Sequence, residues 1–290
     1  MDGVYYEKGW LGVVFTLMVA GFILLNIYRA RKTSGKLFIR RIPGLNAIDD
    51  SIGRATEMGK PVLMVPGIGT LNAISVQALQ IFAYVTKTAA KFANPIRLCC
   101  LDPAVYTVAQ EIIRDVYQTE GVPENYDPDS VRFISDRQFA FAAGVSGIIL
   151  RERTAAAFLM GEFFAESLIL AETLNSIGAI QVACSTEITQ TPFFVAACDY
   201  VLIGDEFYAA SAYLSRQPVL VGSLVGQDWS KLAIAATILL GALLNSADGL
   251  KRVPDEANEG QTRALKADEK MITNLFSPKK PEWKPAGGTQ

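Results

Sequence analysis

The segment best suited to hold an anion is Pro66-Gly67-Ile68-Gly69-Thr70-Leu71-Asn72, which follows an apolar β-branched run. A glycine-rich strand exit lets backbone N–H groups approach a phosphate at a helix N-terminus. Asn72, however, stands where the dinucleotide fingerprint places its third glycine, and no Walker-type lysine follows. The competing and favoured reading is a tight turn that needs positive φ at a glycine.

Further polar residues fall where other strands should end: Asp102, Ser135-Asp136, Ser185-Thr186-Glu187, Gly204-Asp205-Glu206 and Gly222-Ser223. Open parallel sheets bind ligands outside these carboxyl ends. A strand-end site would therefore draw on Gly67, Gly69, Thr70, Asn72, Ser185, Thr186, Asp205 and Glu206. Asp205 and Glu206 also suit a helix N-terminus, where acidic side chains meet the dipole favourably, and this ranks above catalysis. Glu162, Glu166 and Glu172 interrupt an apolar stretch; on a helix the first two share a face. One helix face offers too few oxygens for a metal, so an ion-pair network with Arg151 and Arg153 upstream, or a subunit contact, is favoured over a cation site. Cys184 at a strand end is either a nucleophile or a core thiol, and the core reading is favoured.

Composition narrows the chemistry. Histidine is absent from the 290 residues, which removes the usual general base and transition-metal ligand. The four cysteines have neither metal-ligand spacing nor the look of a secreted disulfide framework. Net charge is −2, and the basic residues gather beside one apolar run, which argues for lipid headgroups and against nucleic acid. No metal or cofactor motif is complete, and an enzyme is disfavoured.

What must position these residues is an alternation of short apolar runs and longer helical patterns. Strands are predicted at 62–65, 96–101, 131–134, 147–150, 180–184, 200–203 and 219–221. Helices are predicted at 70–92, 103–119, from Ser135 or Asp136 through 143, at 154–177, 192–197 and 207–214, with a short helix at 48–58. Continuous apolar strands of this kind belong to parallel sheets covered on both faces. The expected fold is α/β, with a mostly parallel Rossmann-like sheet and helices on both faces.

Residues 10–27 carry no charge and are followed by Arg29, Arg31, Lys32, Lys36, Arg40 and Arg41. At about 1.5 Å per residue that run spans roughly the 30 Å hydrocarbon core. The positive-inside rule then puts the basic side in the cytoplasm. The uncharged run at 232–244 is shorter, but Trp229 and Lys231 extend it, and Ala233, Ala236 and Gly241 allow close helix contact. The expected layout is an extracytoplasmic N-terminus (1–9), a transmembrane helix (10–28), a basic linker and lead-in helix (29–60), the α/β domain (61–227), a second membrane helix (228–247) and a polar, mostly disordered tail (248–290). A short helix at 262–275 is conceivable within that tail.

The strings IRRIPGLNAIDDSIGRATEMGKPVLMVPGIG, FAESLILAETLNSIGAIQVA, PFFVAACDYVLIGDEFYAASAYLS and GQDWSKL resemble a bacterial family of membrane-anchored α/β proteins of unknown function. The resemblance covers most of 40–244. It implies an N-terminal anchor, a globular domain and a C-terminal apolar helix, and it brings no activity.

Two functions compete. The first is a structural or assembly protein of the bacterial inner membrane, its domain facing the cytoplasm, forming a homo-oligomer or joining a larger membrane complex. Its partners are the bilayer and other subunits, and Phe193, Phe194, Phe207, Tyr208 and Tyr213 are the candidate contact residues. The second is a cytoplasmic-face enzyme or sensor that binds a nucleotide-like ligand at the strand ends. The first is favoured, because histidine is missing and the phosphate fingerprint is incomplete.

Overall fold

The computed structural model describes residues 10–32, 44–250, 252–254 and 262–264. The chain forms two units, Met1–Ser34 with Gly222–Gln290, and Gly35–Val221. Helix α1 (Trp10–Lys32) belongs to the first. The second runs α2 (Gly44–Met58), β1 (Val62–Gly67), α3 (Ala73–Lys91), β2 (Ile96–Cys100), α4 (Pro103–Thr119), β3 (Val131–Phe133), α5 (Gln138–Glu152), β4 (Ala156–Glu162), α6 (Glu166–Ser176), β5 (Ile180–Ser185), α7 (Thr191–Ala197), β6 (Tyr200–Ile203) and α8 (Glu206–Ser215). Its strands form one six-stranded, all-parallel sheet in the order β3-β2-β1-β4-β5-β6, the order of a Rossmann-like double winding.

Strand alternation divides the core into two layers. Val62, Met64, Phe158 and Met160 point toward α2, α3, α4 and α8, while Leu63, Val65, Ala157 and Leu159 point toward α5, α6 and α7. The adjacent Cys99 and Cys100 accordingly face opposite layers. Burial on both faces explains why β1 and β4 read as unbroken apolar runs. The lead-in helix α2 is set by Leu45, Ile48, Ile52 and Ala55, an apolar stripe at helical spacing that is fully packed.

Three predicted elements differ from the structure. Residues 147–150 continue α5, because Val145, Ile148 and Ile149 bury one helical face. The predicted helix 154–177 is a central strand and a shorter helix, β4 and α6. Its Ala-Ala-Phe-Leu-Met sequence favours a helix intrinsically, yet the middle of the sheet needs a strand buried on both sides, and the tertiary demand wins. Residues 219–221 begin helix α9 (Pro218–Leu250), with Pro218 in the first turn, so the second long apolar helix starts ten residues earlier than expected at 228.

In the first unit, α1 and α9 are each long and apolar enough to cross a membrane, and their side chains are mostly exposed. They pack as an antiparallel pair. A methyl group at Gly222 would lie 2.5 Å from the Ile27 Cα, and one at Gly226 would lie 2.7 Å from the Ile23 Cα. Further along, Phe15 shares a hollow of about 240 Å³ with Ile234, Thr237, Ile238 and Gly241. Gly222, Gly226 and the buried Ser230 thus make a small-xxx-small seam, upstream of the small residues expected to do so. The same register sets Asp228 and Lys231 beside the uncharged stretch of α1 between Ile23 and Phe15. In the predicted tail, strands β7 (Arg252–Pro254) and β8 (Thr262–Ala264) pair antiparallel, which replaces disorder at those residues and the start of the conceivable helix at 262–275. Residues 251, 255–261 and 265–290 of that tail, the linker residues 33–43 and the N-terminal residues 1–9 lie outside the described residues.

Cysteines placed at Phe15 and Thr237 should cross-link with a short bifunctional thiol reagent. Gly222→Leu combined with Gly226→Leu should remove most of that product, since each leucine forces the helix backbones apart. Unchanged cross-linking in the double variant would mean the helices pair by another face.

Candidate functional site

The two halves of the sheet meet between β1 and β4, where open α/β sheets bind their ligands. Here the strand ends are drawn together instead of apart. Gly67 has φ +83° and Gly161 has φ +147°. A methyl group at Gly67 would fall 2.1 Å from the Glu162 carbonyl oxygen, and one at Gly161 would fall 2.0 Å from the Pro66 carbonyl oxygen. The Ile68 N–H donates to the Glu162 carbonyl at 2.9 Å, and the ladder shifts register between Val65 and Gly67. The expected positive-φ glycine is Gly67, and its reason is this backbone approach.

The Glu162 carboxylate then covers the glycine turn. Added to Gly69, a methyl group would sit 2.7 Å from Glu162 Oε2, and Asn72 Nδ2 donates to the same oxygen at 3.3 Å. Asn72 also caps α3: its Oδ1 accepts from the N–H groups of Ile74 at 2.9 Å and Ser75 at 3.0 Å, while Ser75 Oγ accepts from the Asn72 N–H at 2.9 Å. In this capping box the N–H groups of Asn72, Ile74 and Ser75 are already engaged. A carboxylate facing the turn also opposes an anion there. The Thr70 carbonyl accepts from Ser75 Oγ at 3.0 Å.

At the remaining strand ends several polar side chains likewise close local bonds. Asp102 caps α4 through the N–H groups of Ala104 at 2.8 Å and Val105 at 2.9 Å. Ser135 Oγ accepts from the Arg137 N–H, and Ser185 Oγ from the Glu187 N–H, both at 3.1 Å. Asp205 takes the N-cap position of α8, and Glu206 reaches back to the Ile203 N–H at 3.2 Å. Thr186 Oγ1 is buried and has no hydrogen-bond partner. Gly222 and Ser223 belong to α9, in the other unit, and are not at a strand end.

Glu162 and Glu166 do not share a helix face, because one ends β4 and the other begins α6. Fully buried, Glu166 accepts from the Phe164 N–H at 3.0 Å and from Gln138 Nε2 at 2.6 Å. Beside it the buried Ser167 donates to Gln190 Oε1 at 2.9 Å. Gln138 and Gln190 carry no sequence signal that marks them as partners of this pair. No group of three metal-ligating side chains occurs among the described residues. Among the aromatic candidates, Phe194 and Phe207 are core side chains, Phe193 and Tyr208 are exposed, and Tyr213 lies partly buried under the Arg216 guanidinium, 4.6 Å from its ring.

A family described as a domain of unknown function (DUF6754) matches residues 2–253, which takes in α1, the whole α/β unit and α9. The chain belongs to DUF6754. No curated protein matches it. The match agrees with the resemblance read from the four strings in pointing to a family of unknown function, and the parallel sheet agrees with its α/β architecture.

In this DUF6754 chain Cys184 is a core thiol. Burial, with the Glu206 charge adding, pushes its pKa up to about 12, and burial holds Cys99 at about 12 as well. Both stay protonated and unreactive near neutral pH. At pH 8 an aromatic disulfide reagent should leave Cys99, Cys100 and Cys184 unlabelled in the folded protein and modify all four cysteines after denaturation. Rapid labelling of folded Cys184 would contradict the burial.

Gly67→Ala and Gly161→Ala should each lower unfolding free energy by roughly 2–6 kcal/mol, since an unfavourable φ and a backbone collision add. Gly178→Ala, with φ +71° and open space, should cost only about 1 kcal/mol. Denaturant titration of the three variants checks the contrast.

Proposed function

We propose that this chain is a membrane-anchored assembly protein of the bacterial cytoplasmic membrane, whose α/β unit faces the cytoplasm and self-associates. The observation that carries the reading is a group of exposed apolar side chains on α6, α7 and the edge strand β6. There Leu168, Ile169, Phe193, Val195 and Ile203 are exposed, with Ile188 of the connecting loop 81% exposed. Contiguous apolar area of this kind usually marks a protein contact. Charge-poor outer helix faces fit the same account, and tethering would raise the effective concentration of copies in the plane.

Arg29, Arg31 and Lys32 close α1, which supports the inward orientation of that end by the positive-inside rule. The antiparallel pairing of α9 with α1 then returns the C-terminal segment to the side of the N-terminus. Against a nucleotide-binding enzyme or sensor stand the side-chain cap that already holds the start of α3 and the Glu162 carboxylate over the glycine turn. Gly67→Val is a poor test of that alternative, because valine there collides with the backbone. Glu162→Gln is the better probe, since removing the charge would strengthen any phosphate ligand.

The protein extracted in mild detergent should run as a discrete oligomer by light scattering. Phe193→Asp with Ile203→Asp should convert it to monomer while both helices stay in the membrane fraction. Protease added to spheroplasts should remove the segment after 250 and spare the α/β unit. A stable monomer that binds ATP or NAD, more tightly in Glu162→Gln, would replace this reading with the enzyme or sensor.

A further inference from the structure

The seam between α1 and α9 sets two opposite charges at a defined depth. Gly222 meets Ile27 and Gly226 meets Ile23, so in this antiparallel register Asp228 stands level with Gly21 and Lys231 level with Met18. Helix α1 carries no charged residue from Trp10 to Tyr28. At about 1.5 Å per residue, a bilayer core that covers this run holds Asp228 roughly 12 Å and Lys231 roughly 16 Å inside the level of Arg29. Sliding the layer toward the N-terminus does not clear it of charge, since it then takes in Glu7 and Lys8 of the sequence. Over residues 10–28 of α1 and the part of α9 beside them, the only charged side chains are Asp228 and Lys231.

Their direction matters as much as their depth. Gly222, Gly226 and Ser230 are buried along the seam, whereas Asp228 and Lys231 are exposed. At about 3.6 residues per turn, Asp228 comes about 200° round the helix from Gly226 and Lys231 about 140°, so both lie on the face turned away from α1. Ala235 and Ala242 continue that face at seven-residue intervals from Asp228, and both are exposed. Ionised side chains within a membrane segment nearly always point into a protein interior and pair there. The lysine stem is long enough to carry its ammonium toward the headgroups, but an aspartate is too short to do the same. An outward Asp228 at this depth needs a cover of protein, and that cover has to bring a positive charge.

We propose that a second copy of this chain is the cover: two α9 helices pair through these faces, parallel and about a two-fold axis normal to the membrane, with Asp228 of each copy bonded to Lys231 of the other. Copies held by the same anchor present α9 at one depth and in one direction, so identical residues stand level. Each Asp228 then reaches the opposing Lys231 one turn along, which makes the face complementary to itself. The small Ala235 and Ala242 let the helices close on each other. This pairing rests on the membrane placement proposed above and involves none of the exposed residues of the α/β unit. It depends on the concentration that confinement to a plane provides; diluted in detergent, the α/β faces alone decide the oligomer. Either contact can therefore fail without the other, one read in membranes and the other in detergent.

The test uses the full chain in native membranes, with Cys198, the one native thiol that is not buried, changed to serine. On mild oxidation Ala235→Cys should give a disulfide-linked dimer, and Thr237→Cys, whose side chain lines the hollow with Phe15, should not. Asp228→Lys should cut the Ala235→Cys product about tenfold, the scale of one charge-assisted bond lost in a desolvated setting. Adding Lys231→Asp should restore it. Asp228→Asn keeps the shape of the side chain and should lower the product in the same direction, which covers the case of a lysine variant that fails to insert. Release of the chain by an alkaline carbonate wash would remove this pairing together with the membrane reading. A chain that stays in the membrane fraction yet gives no Ala235→Cys dimer, gives it equally with Asp228→Lys and Asp228→Asn, or does not regain it in the charge-swapped variant overturns the pairing alone.

Discussion

The arrangement of the α/β unit depends on one contact between main chains, the mutual approach of Gly67 and Gly161 at the ends of β1 and β4. Neither residue tolerates a side chain there, and both lie at the centre of the sheet. Their closeness carries Glu162 over the turn before α3, where its carboxylate meets Asn72. The place where a sheet of this order leaves a crevice is consequently occupied by the protein itself. The fold keeps the topology of a ligand-binding sheet, and its own side chains answer the N-termini of α3 and α4.

Much of this was legible in the sequence, and the exceptions have physical causes. β1, β2, β5 and β6 were readable because each is a short apolar run bounded by turn residues, the mark of a strand buried on both faces. β4 was not, since alanine, leucine and methionine favour a helix locally and only the neighbouring strands impose extension. The need for positive φ at a turn glycine was visible, whereas Glu162 above it was hidden, because Asn72 and Glu162 meet across ninety positions of chain. The pairing of Glu162 and Glu166 on one face failed for the same reason as β4. Buried Phe194 and exposed Phe193 show a similar limit, as a seven-residue helix gives too few turns to reveal which side is covered.

The polar residues of the α/β unit differ in a way that residue type alone does not disclose. At the strand C-terminal ends, Asn72, Asp102, Ser185 and Glu206 turn back onto nearby N–H groups and complete the secondary structure they belong to. Thr186 Oγ1 at one of those ends, and Asn94 Nδ2 and Ser130 Oγ where β2 and β3 begin, are instead buried without a hydrogen-bond partner. A polar residue that closes a helix and one that is buried without a partner look alike in a sequence.

The glycine seam between α1 and α9 also fixes how far one helix is slid along the other. With Gly226 against Ile23 and Ile234 near Phe15, the uncharged stretch of α9 after Lys231 runs past only the first half of that of α1. A bilayer centred on one helix would then leave the other offset by about two turns, roughly 10 Å along the axis. Lipids around such a staggered hairpin must thin, or the pair must tilt, for both apolar surfaces to be covered. On the proposed membrane assembly, copies gathered in one patch would share that deformation, so membrane elasticity itself would draw them together, in addition to any contact between their α/β units.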